Sequence, residues 1–228
     1  MKNCLYPVAF IVLSALAAAS LLQASDLSSY RQFHLGNSAA DVATQTGMES
    51  SELRLVSSRP ERIEELDWKT NRSALATTPS DSVREIRFRF YNGSLFEMMV
   101  RYDMDRTGGL TDADMTEALS AIYGSAAQPA AKEMAFNSGY NTTVRVIAQW
   151  HDAQNLLSLV GFSHGDGFGV IVSSNDSLAL ARRAMVESDR LDYVEAPQRA
   201  REVKAKQEAE TAARDEQFRS RNKPDFRP

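Results

Sequence analysis

The stretch VREIRFRFYNGSLFEMMVRYD, residues 83–103, decides the fold that this sequence predicts. Apolar and charged residues alternate on both sides of Asn92-Gly93, a pair that is typical of a tight turn between antiparallel strands. The apolar positions are Ile86, Phe88 and Phe90 before the turn, and Phe96, Met98 and Val100 after it. We therefore expect a hairpin with one buried face and one charged face.

The register of this hairpin depends on the length of its turn. A two-residue turn pairs Phe88 with Glu97 and brings a charge onto the apolar face. A three-residue loop, residues 91–93 with Gly93 in the left-handed conformation, keeps the apolar residues together. The pairs that this second register predicts are Phe88 with Phe96, Ile86 with Met98, and Arg87 with Glu97. We predict the second register because a slip by one residue buries charges.

Two short segments share a helix-start pattern. Residues 35–47 read LGNSAADVATQTG, and residues 109–124 read GLTDADMTEALSAIYG. In each, a hydroxyl residue, Ser38 or Thr111, stands three positions before an acid, and a glycine closes the segment. A hydroxyl N-cap, an acid in the first turn and a terminal glycine begin and end helices. Each segment is predicted as a short helix, and their similarity leaves open an internal repeat or chance.

Strands are predicted after each helix. SELRLVSS and the hairpin follow the first, with a loop at residues 71–82 between them, and TTVRVIAQW, NLLSLVGF and FGVIVSS follow the second as a meander. A last helix begins at Asp176 or Ser177 and ends at Pro197. The expected fold is α+β, with short helices packed on an antiparallel sheet and an α-then-strands unit used once or in tandem.

The predicted organisation has four stretches: a signal peptide at 1–25, a first α/β unit at 26–105, a second at 106–196 and a charged tail at 197–228. From Gln198 to Pro228, nine Lys and Arg against six Asp and Glu give a net charge of +3. Since the whole chain carries -4, the rest carries -7. The tail is predicted as a solvated helix or a disordered extension, or as a partner-docking helix anchored by Phe218 and Phe226.

The first residues have the layout of a secretory signal. Met1 and Lys2 precede the apolar run CLYPVAFIVLSALAAASLL, and small residues suit cleavage near Ala19 or between Ala24 and Asp26. The run is ~19 residues long, so an uncleaved membrane anchor is the alternative.

Cysteine usage and charge narrow the class of protein further. Cys4 is the only cysteine, and it lies at the start of the apolar run and not at a lipoprotein cleavage point. An exported chain without disulfides fits a bacterial periplasm better than an animal secretory pathway. The mild net charge of -4 argues against a nucleic-acid partner, whose phosphates require an excess of Lys and Arg.

Residues 35–47 resemble the helix start of small exported bacterial domains, namely the SmpA/BamE outer-membrane assembly lipoproteins and the related β-lactamase-inhibitor-like domains. That start reads roughly Gly-Met-[Ser/Thr]-x-x-x-Val, followed by Gly and a nearby Pro. The positions that match in part are Gly36, Asn37, Ser38, Val42 and Gly47, with Asn37 in place of the Met and no Pro after Gly47. The resemblance implies a helical layer on an antiparallel sheet, in tandem in some members, and protein binding at the cell envelope.

The segment DMDRTGGLTDAD, residues 103–114, follows part of the calcium-loop pattern. Oxygen ligands would come from Asp103, Asp105, Thr107, the Gly109 carbonyl, Thr111 and Asp114. Thr at position five, Asp at position twelve and an entering strand depart from that pattern. The competing interpretation is a helix start, because acids at positions 112 and 114 suit the first turn of a helix.

Other patterns predict structure more readily than chemistry. His34, His151 and His164 have no metal-ligating spacing, and the last two lie in predicted turns near Asp152 and Asp166. GDGFG, residues 165–169, lies between two strands and is predicted as a hairpin turn, because a nucleotide loop requires a helix after it.

Two further groups of residues are predicted as surface and as core. ERIEELDW, residues 61–68, is predicted as a charged surface segment anchored by Ile63, Leu66 and Trp68. The aromatic residues predicted as core are Phe88, Phe90, Phe96, Trp150 and Phe162.

The sequence favours an exported, non-enzymatic module for protein binding or envelope assembly, with another envelope protein as its partner and no cofactor. We assign no catalytic, cofactor-binding or metal residue from the sequence. A secreted hydrolase whose site is assembled from distant residues is the first alternative. A calcium-dependent binding module that uses the Asp103–Asp114 loop is the second.

Overall fold

The computed structural model describes residues 26–70, 82–137, 141–162, 167–224 and 227. Its strands are β1 (Ser29–Tyr30), β2 (Phe33–His34), β3 (Arg54–Ser57), β4 (Ile63–Lys69), β5 (Val83–Tyr91), β6 (Ser94–Tyr102), β7 (Glu133–Asn137), β8 (Asn141–His151), β9 (Asn155–Phe162) and β10 (Phe168–Ser174). Its α-helices are α1 (Ala39–Thr46), α2 (Met104–Thr107), α3 (Asp112–Tyr123) and α4 (Asn175–Asn222), and a 3-10 helix spans Ser50–Glu52. The predicted signal segment and most of the loop after β4 lie outside the described residues.

Eight strands form one antiparallel sheet in the order β3-β4-β5-β6-β10-β9-β8-β7. Strands β3 to β6 form one meander and β7 to β10 form another, and the two meet where β6 pairs with β10. A helix precedes each meander, α1 the first and α3 the second. The predicted α+β class is confirmed, and the α-then-strands order occurs twice within a single sheet.

Both short helices begin and end as their sequences predict. The Ser38 side chain accepts a hydrogen bond from the backbone N–H of Asp41, and Gly47 ends α1 with a φ of 69°. Thr111 and Asp114 form a reciprocal capping box at the start of α3, and Gly124 ends that helix. Side-chain oxygens therefore satisfy N–H groups that the first turn of each helix leaves unpaired.

The predicted register of the β5–β6 hairpin is wrong. Its turn has two residues, Asn92 and Gly93, both left-handed with φ values of 50° and 81°. A bulge next to the turn offsets the register by one residue, and Phe96 is the extra residue. The pairs are Phe88 with Met98, Ile86 with Val100, and Arg89 with Glu97, while Arg87 binds Asp67 of β4. The bulge lets the short turn coexist with an apolar face, so no longer loop is required.

The predicted surface segment at residues 61–68 is instead largely strand β4. It pairs with β3 on one side and β5 on the other, so Glu64 and Glu65 are both buried. Leu66 and Trp68 do face the main core, as anchors would. Strand β7, at the far edge of the sheet, was not predicted at all.

The last helix does not end at Pro197. Helix α4 begins at Asn175 and continues through the proline for 48 residues, which corresponds to roughly 70 Å. A proline removes one backbone hydrogen bond of the helix and its ring crowds the preceding turn. The guanidinium of Arg199 reaches back across it and donates to the Asp192 carbonyl and carboxylate, at 3.0 and 2.9 Å. The predicted tail is thus helical from Pro197 to Asn222, with these residues exposed, and the predicted anchor Phe226 lies outside the described residues.

The sheet has two differently covered faces. On the core face, Phe88, Met98 and Val172 pack with their neighbours beneath β1, β2, α1 and α3. On the helix face, Ile63 and Phe96 pack against α4. The small residues Ala181 and Ala184 allow α4 to approach the strands closely.

Candidate functional site

A buried ion network lies on the helix face of the sheet. Arg89 donates from Nη1 to Glu97 Oε1 at 2.8 Å, and its Nε lies 3.2 Å from Glu65 Oε1. The side chains of Arg89, Glu65 and Glu97 are only 4, 2 and 6% exposed. Arg54, at the sheet edge, forms an ion pair with the second oxygen of Glu65. Two carboxylates and two guanidinium groups therefore balance one another beneath the helix.

Strand pairing creates this network. Arg89 lies opposite Glu65 on β4 and opposite Glu97 on β6, so three adjacent strands place their charged residues in one row. The row is closed from above, because the Arg89 guanidinium lies 5.2 Å from the centre of the Phe96 ring and 3.4 Å from the Met185 sulfur of α4. An ion deprived of water requires such partners, since an unpaired buried charge is strongly destabilising.

The Arg89 Nε atom is the one nitrogen of this guanidinium that is buried without a hydrogen bond among the described residues. Its 3.2 Å distance to Glu65 is short enough for an ion pair, but the alignment does not make a hydrogen bond, and Nε has no hydrogen-bond acceptor. The two groups still attract each other at this distance, because Coulomb attraction between buried charges depends little on alignment.

The first half of α4 is held to the sheet by polar contacts as well as apolar ones. Arg59 donates to Glu195 at 2.6 Å and to Asp192 at 2.9 Å, and Ser57 donates to Ser188 at 3.0 Å. These hydrogen bonds, that to Glu195 above all, raise the pKa of Arg59 above its ordinary value. Hydrogen bonds from Arg199 and then Arg59 lower the pKa of Asp192. The contacts end near residue 195, and beyond it α4 leaves the sheet.

We call residues 197–222 the α4 arm. Every residue of the arm is exposed. The arm contains ion pairs of its own, for example Lys204 with Glu208 at 3.8 Å and Lys206 with Glu210 at 4.0 Å. It also exposes Val203 and Phe218, at 55 and 50%. A partner helix or groove would find charged and apolar side chains side by side on this arm.

A concave site, which we call the α4 groove, lies beside the ion network. It has a volume of about 340 Å³. Its floor is the helix face of β6, β10, β9 and β8, one wall is the first two turns of α4, and the other wall is the segment that leads into β7. Glu97 belongs both to the network and to this floor.

The Asp103–Asp114 loop is organised as two helix starts. The Asp103 carboxylate accepts from the backbone N–H of Asp105 at 2.8 Å and so caps α2, which lies in the first half of the loop. Hydrogen bonds from Thr111, its backbone N–H first, lower the pKa of Asp114. Within the described residues, which include this whole loop, no group of three or more His, Cys, Asp or Glu side chains is arranged to hold a metal ion. The structure thus gives no support to the calcium hypothesis.

The histidines do not form a site with one another. His151 is exposed at the end of β8, and His164 lies outside the described residues, as do Gly165 and Asp166. His34 is an exposed residue of β2 and lies 3.9 Å from Asp26. Hydrogen bonds from Ser28 lower the pKa of Asp26. Ser28 and His34 therefore both interact with the Asp26 carboxylate, and His34 does not activate the serine as a general base.

The remaining sequence features have structural roles. Phe88, Phe90, Phe96 and Trp150 are buried as predicted, and Phe162 packs partly buried beneath the Arg101 guanidinium at 4.6 Å. Strands β9 and β10 pair with each other as the predicted hairpin requires, and Phe168 and Gly169 of GDGFG already belong to β10. Gly169 is needed within β10, because a side chain there would collide with the Val100 carbonyl and the Phe162 ring.

Sequence reasoning missed the residues that matter most at this site. The pattern of residues 83–103 does show that Arg89 and Glu97 lie off the core face, but it does not show what covers them. Glu65 was assigned to a surface segment. One signal in the sequence could have shown that the charged face is covered. The helix predicted after the last strand is long enough to cross the sheet.

Comparisons with known proteins add little to this description. No family model and no curated protein matches the chain. Among solved structures, a cysteine-rich secretory protein from Staphylococcus aureus is similar at 9% identity and a TM-score of 0.31, over 64% of this chain and 44% of that one. This chain thus spans less than half the length of that protein. Among the described residues, no helix combines the length and apolar character that a membrane crossing requires.

Proposed function

We propose that this protein is an exported, non-enzymatic module that binds another protein of the bacterial envelope, and that the α4 arm is its binding element. The observation that supports this is the arm itself, a helix that continues from Pro197 to Asn222 with every residue exposed. A helix in water draws most of its stability from packing, so one without any packing is suited to receive a partner.

The pattern of side chains on α4 indicates how a partner would be recognised. Tyr193, 84% exposed, is followed seven residues later by Ala200 and three further on by Val203, so the three lie on one face. Phe218 is fifteen residues beyond Val203, about four turns, and lies near the same face. This arrangement suits docking into an apolar groove, with the face as anchor.

Charge favours an acidic partner. From Gln198 to Pro228, nine basic and six acidic residues leave +3. Arg199 stands one turn before Val203 and Arg214 one turn before Phe218, so both lie beside the apolar face. Opposite charges around an apolar contact increase the rate of association and fix its orientation.

Export and envelope location are proposals from the sequence. They rest on the signal-like residues 1–25 and on the resemblance of residues 35–47 to SmpA/BamE-like and inhibitor-like exported domains. Assembly partners at the outer membrane are therefore the first to search for.

The test is crosslinking in the native host, with a C-terminal tag and identification of captured proteins by mass spectrometry. Val203→Ser and Phe218→Ser together should abolish capture of a dominant envelope protein, because both remove apolar contact from one face. Val194→Ser is the matched control, since Val194 is 59% exposed on a different face of α4. Equal capture by all three forms, or no dominant partner at all, would refute the proposal.

A further inference from the structure

The α4 groove has a polar floor whose hydrogen-bonding capacity is only partly used. Arg89 occupies Oε1 of Glu97, and the second carboxylate oxygen has no hydrogen bond among the described residues. Ser173, directly opposite Glu97 on β10, is 2% exposed, and its hydroxyl likewise has no hydrogen bond in the described part of the chain. Ser158 accepts from Gln149 at 3.1 Å and keeps its own proton available.

These groups make the floor unlike an ordinary packed interior. Neither the second Glu97 oxygen nor the Ser173 hydroxyl is among the fully buried side-chain atoms without a partner in the described part of the chain, so both reach the open space of the groove. Both Glu97 and Ser173 line the groove, so a bound molecule can complete their hydrogen bonds. The site is therefore built for a ligand that donates several hydrogen bonds from one small group.

The walls and rim supply the opposite properties. Met134 and Leu178 line the two walls with apolar surface, and Val146 and Ile171 add apolar surface to the floor beside its polar groups. Arg182, one turn after Leu178 on α4, brings an exposed guanidinium to the rim, and Glu133 brings an exposed carboxylate from β7. A guanidinium binds carboxylates through two parallel hydrogen bonds.

The charges of the site favour a ligand with no net charge. Glu65 and Glu97 are balanced by Arg54 and Arg89 within the network, and Glu133 and Arg182 balance each other at the rim. A simple cation or anion would disturb this balance, whereas a molecule with one positive and one negative end would preserve it.

We propose that the α4 groove binds a small zwitterion of the α-amino acid class. Its ammonium group donates to the free oxygen of Glu97 and to Ser173, and its carboxylate binds Arg182. Its side chain lies between Ile171 and Leu178. A volume of about 340 Å³ is at the lower end for ligand sites and accommodates such a molecule. This inference concerns a second site and is independent of protein binding by the α4 arm.

The test uses isothermal titration calorimetry of the purified chain with each of the free amino acids as a probe. We expect saturable binding of at least one apolar amino acid at one site. For the best of them, removal of its carboxylate, giving the corresponding amine, or acetylation of its amino group should each weaken binding about tenfold or more, because each removes a charge-assisted contact.

Variants assign the binding to the groove. Ser173→Ala removes one hydroxyl without adding volume, and Arg182→Gln removes a rim charge on an exposed position, so each leaves the ion network complete. Each should weaken binding about tenfold, while Arg183→Gln, the neighbouring exposed arginine outside the groove, should bind as the native chain does. The proposal is overturned if no amino acid binds, if the amine binds as tightly as the amino acid, or if both groove variants bind normally.

Discussion

At its centre, the core face of the sheet is covered by apolar side chains beneath two short helices, whereas the helix face is covered by one long helix lying over paired charges. On the core face, Phe88 contacts Phe33 ring to ring at 4.7 Å and both are fully buried. On the helix face, Arg89, the next residue, is almost as well buried among carboxylates. Two neighbouring residues of one strand thus contribute to the fold in different ways.

The difference lies in how each face responds to a changed residue. Apolar packing loses stability in proportion to the volume removed, so partial losses are tolerated. A buried ion network depends on complete pairing, because the loss of one partner leaves another buried charge unpaired. The same requirement for partners applies to the groove beside Glu97, where a bound molecule can supply them.

The largest effect is expected on the core face. Phe88→Ala should lower the free energy of unfolding by about 3–5 kcal/mol, because it removes a fully buried ring and leaves a cavity. Urea denaturation of the purified chain measures this. Phe218→Ala, which removes a half-exposed ring from the α4 arm, should change stability by under about 0.5 kcal/mol. Similar losses for the two variants would contradict the assignment of the core.

A slightly smaller effect is expected from the ion network. Arg89→Met should cost about 3 kcal/mol, because Glu65 and Glu97 then remain buried with fewer partners. Arg87→Met is the control, on the same strand and face but with an ion pair at a partly exposed site, and it should cost under about 1 kcal/mol. If denaturation curves of the two variants coincide, the network does not stabilise the native chain.

The smallest effect is expected from an exposed ion pair next to the core face. Arg145 binds the Asp112 carboxylate, and this hydrogen bond lowers the pKa of Asp112 below its ordinary value of 3.8. The pair therefore stabilises the fold above that value, and its contribution disappears as pH falls through the folded pKa.

Solvent screening keeps the magnitude of this effect small. Asp112→Asn should cost up to about 0.5 kcal/mol at neutral pH, because both side chains are about half exposed. The cost should vanish in acid below the folded pKa. Urea denaturation at both pH values, with Glu117→Gln on the same helix as control, measures it. A loss that persists in acid would show that the charge of Asp112 is not its cause.

Local patterns predicted the parts of this fold that depend on neighbouring residues. The caps at Ser38 and Thr111, the position of the hairpin turn and strands β8 to β10 all follow from short stretches of sequence. The register of β5 and β6 could not be obtained in this way, because the bulge at Phe96 serves contacts with α4 from a distant part of the chain.

The candidate sites depended on distant partners even more strongly. Strand β4 was not predicted, because its acidic residues are typical of an exposed segment. The burial of Glu65 is explained by its pairing with Arg89 on β5. Pro197 predicted the end of a helix, because proline is unfavourable inside one. The hydrogen bond that Arg199 donates across Pro197 to the Asp192 carbonyl cannot be read from helix propensities. The α4 groove combines residues of the five strands β6 to β10 with the start of α4 and the segment before β7, so no single stretch of sequence contains it.

The central pairing of β6 with β10 also bears on how the chain reaches its structure. All other neighbours in the sheet are consecutive strands, whereas this pairing brings Val100 opposite Val170. Contacts between residues far apart in sequence form slowly, because a long loop must close first. We therefore expect each meander to form early and the joining of the two to limit the rate of folding. Only after it can α4, which starts directly behind β10, close over the charges beneath it.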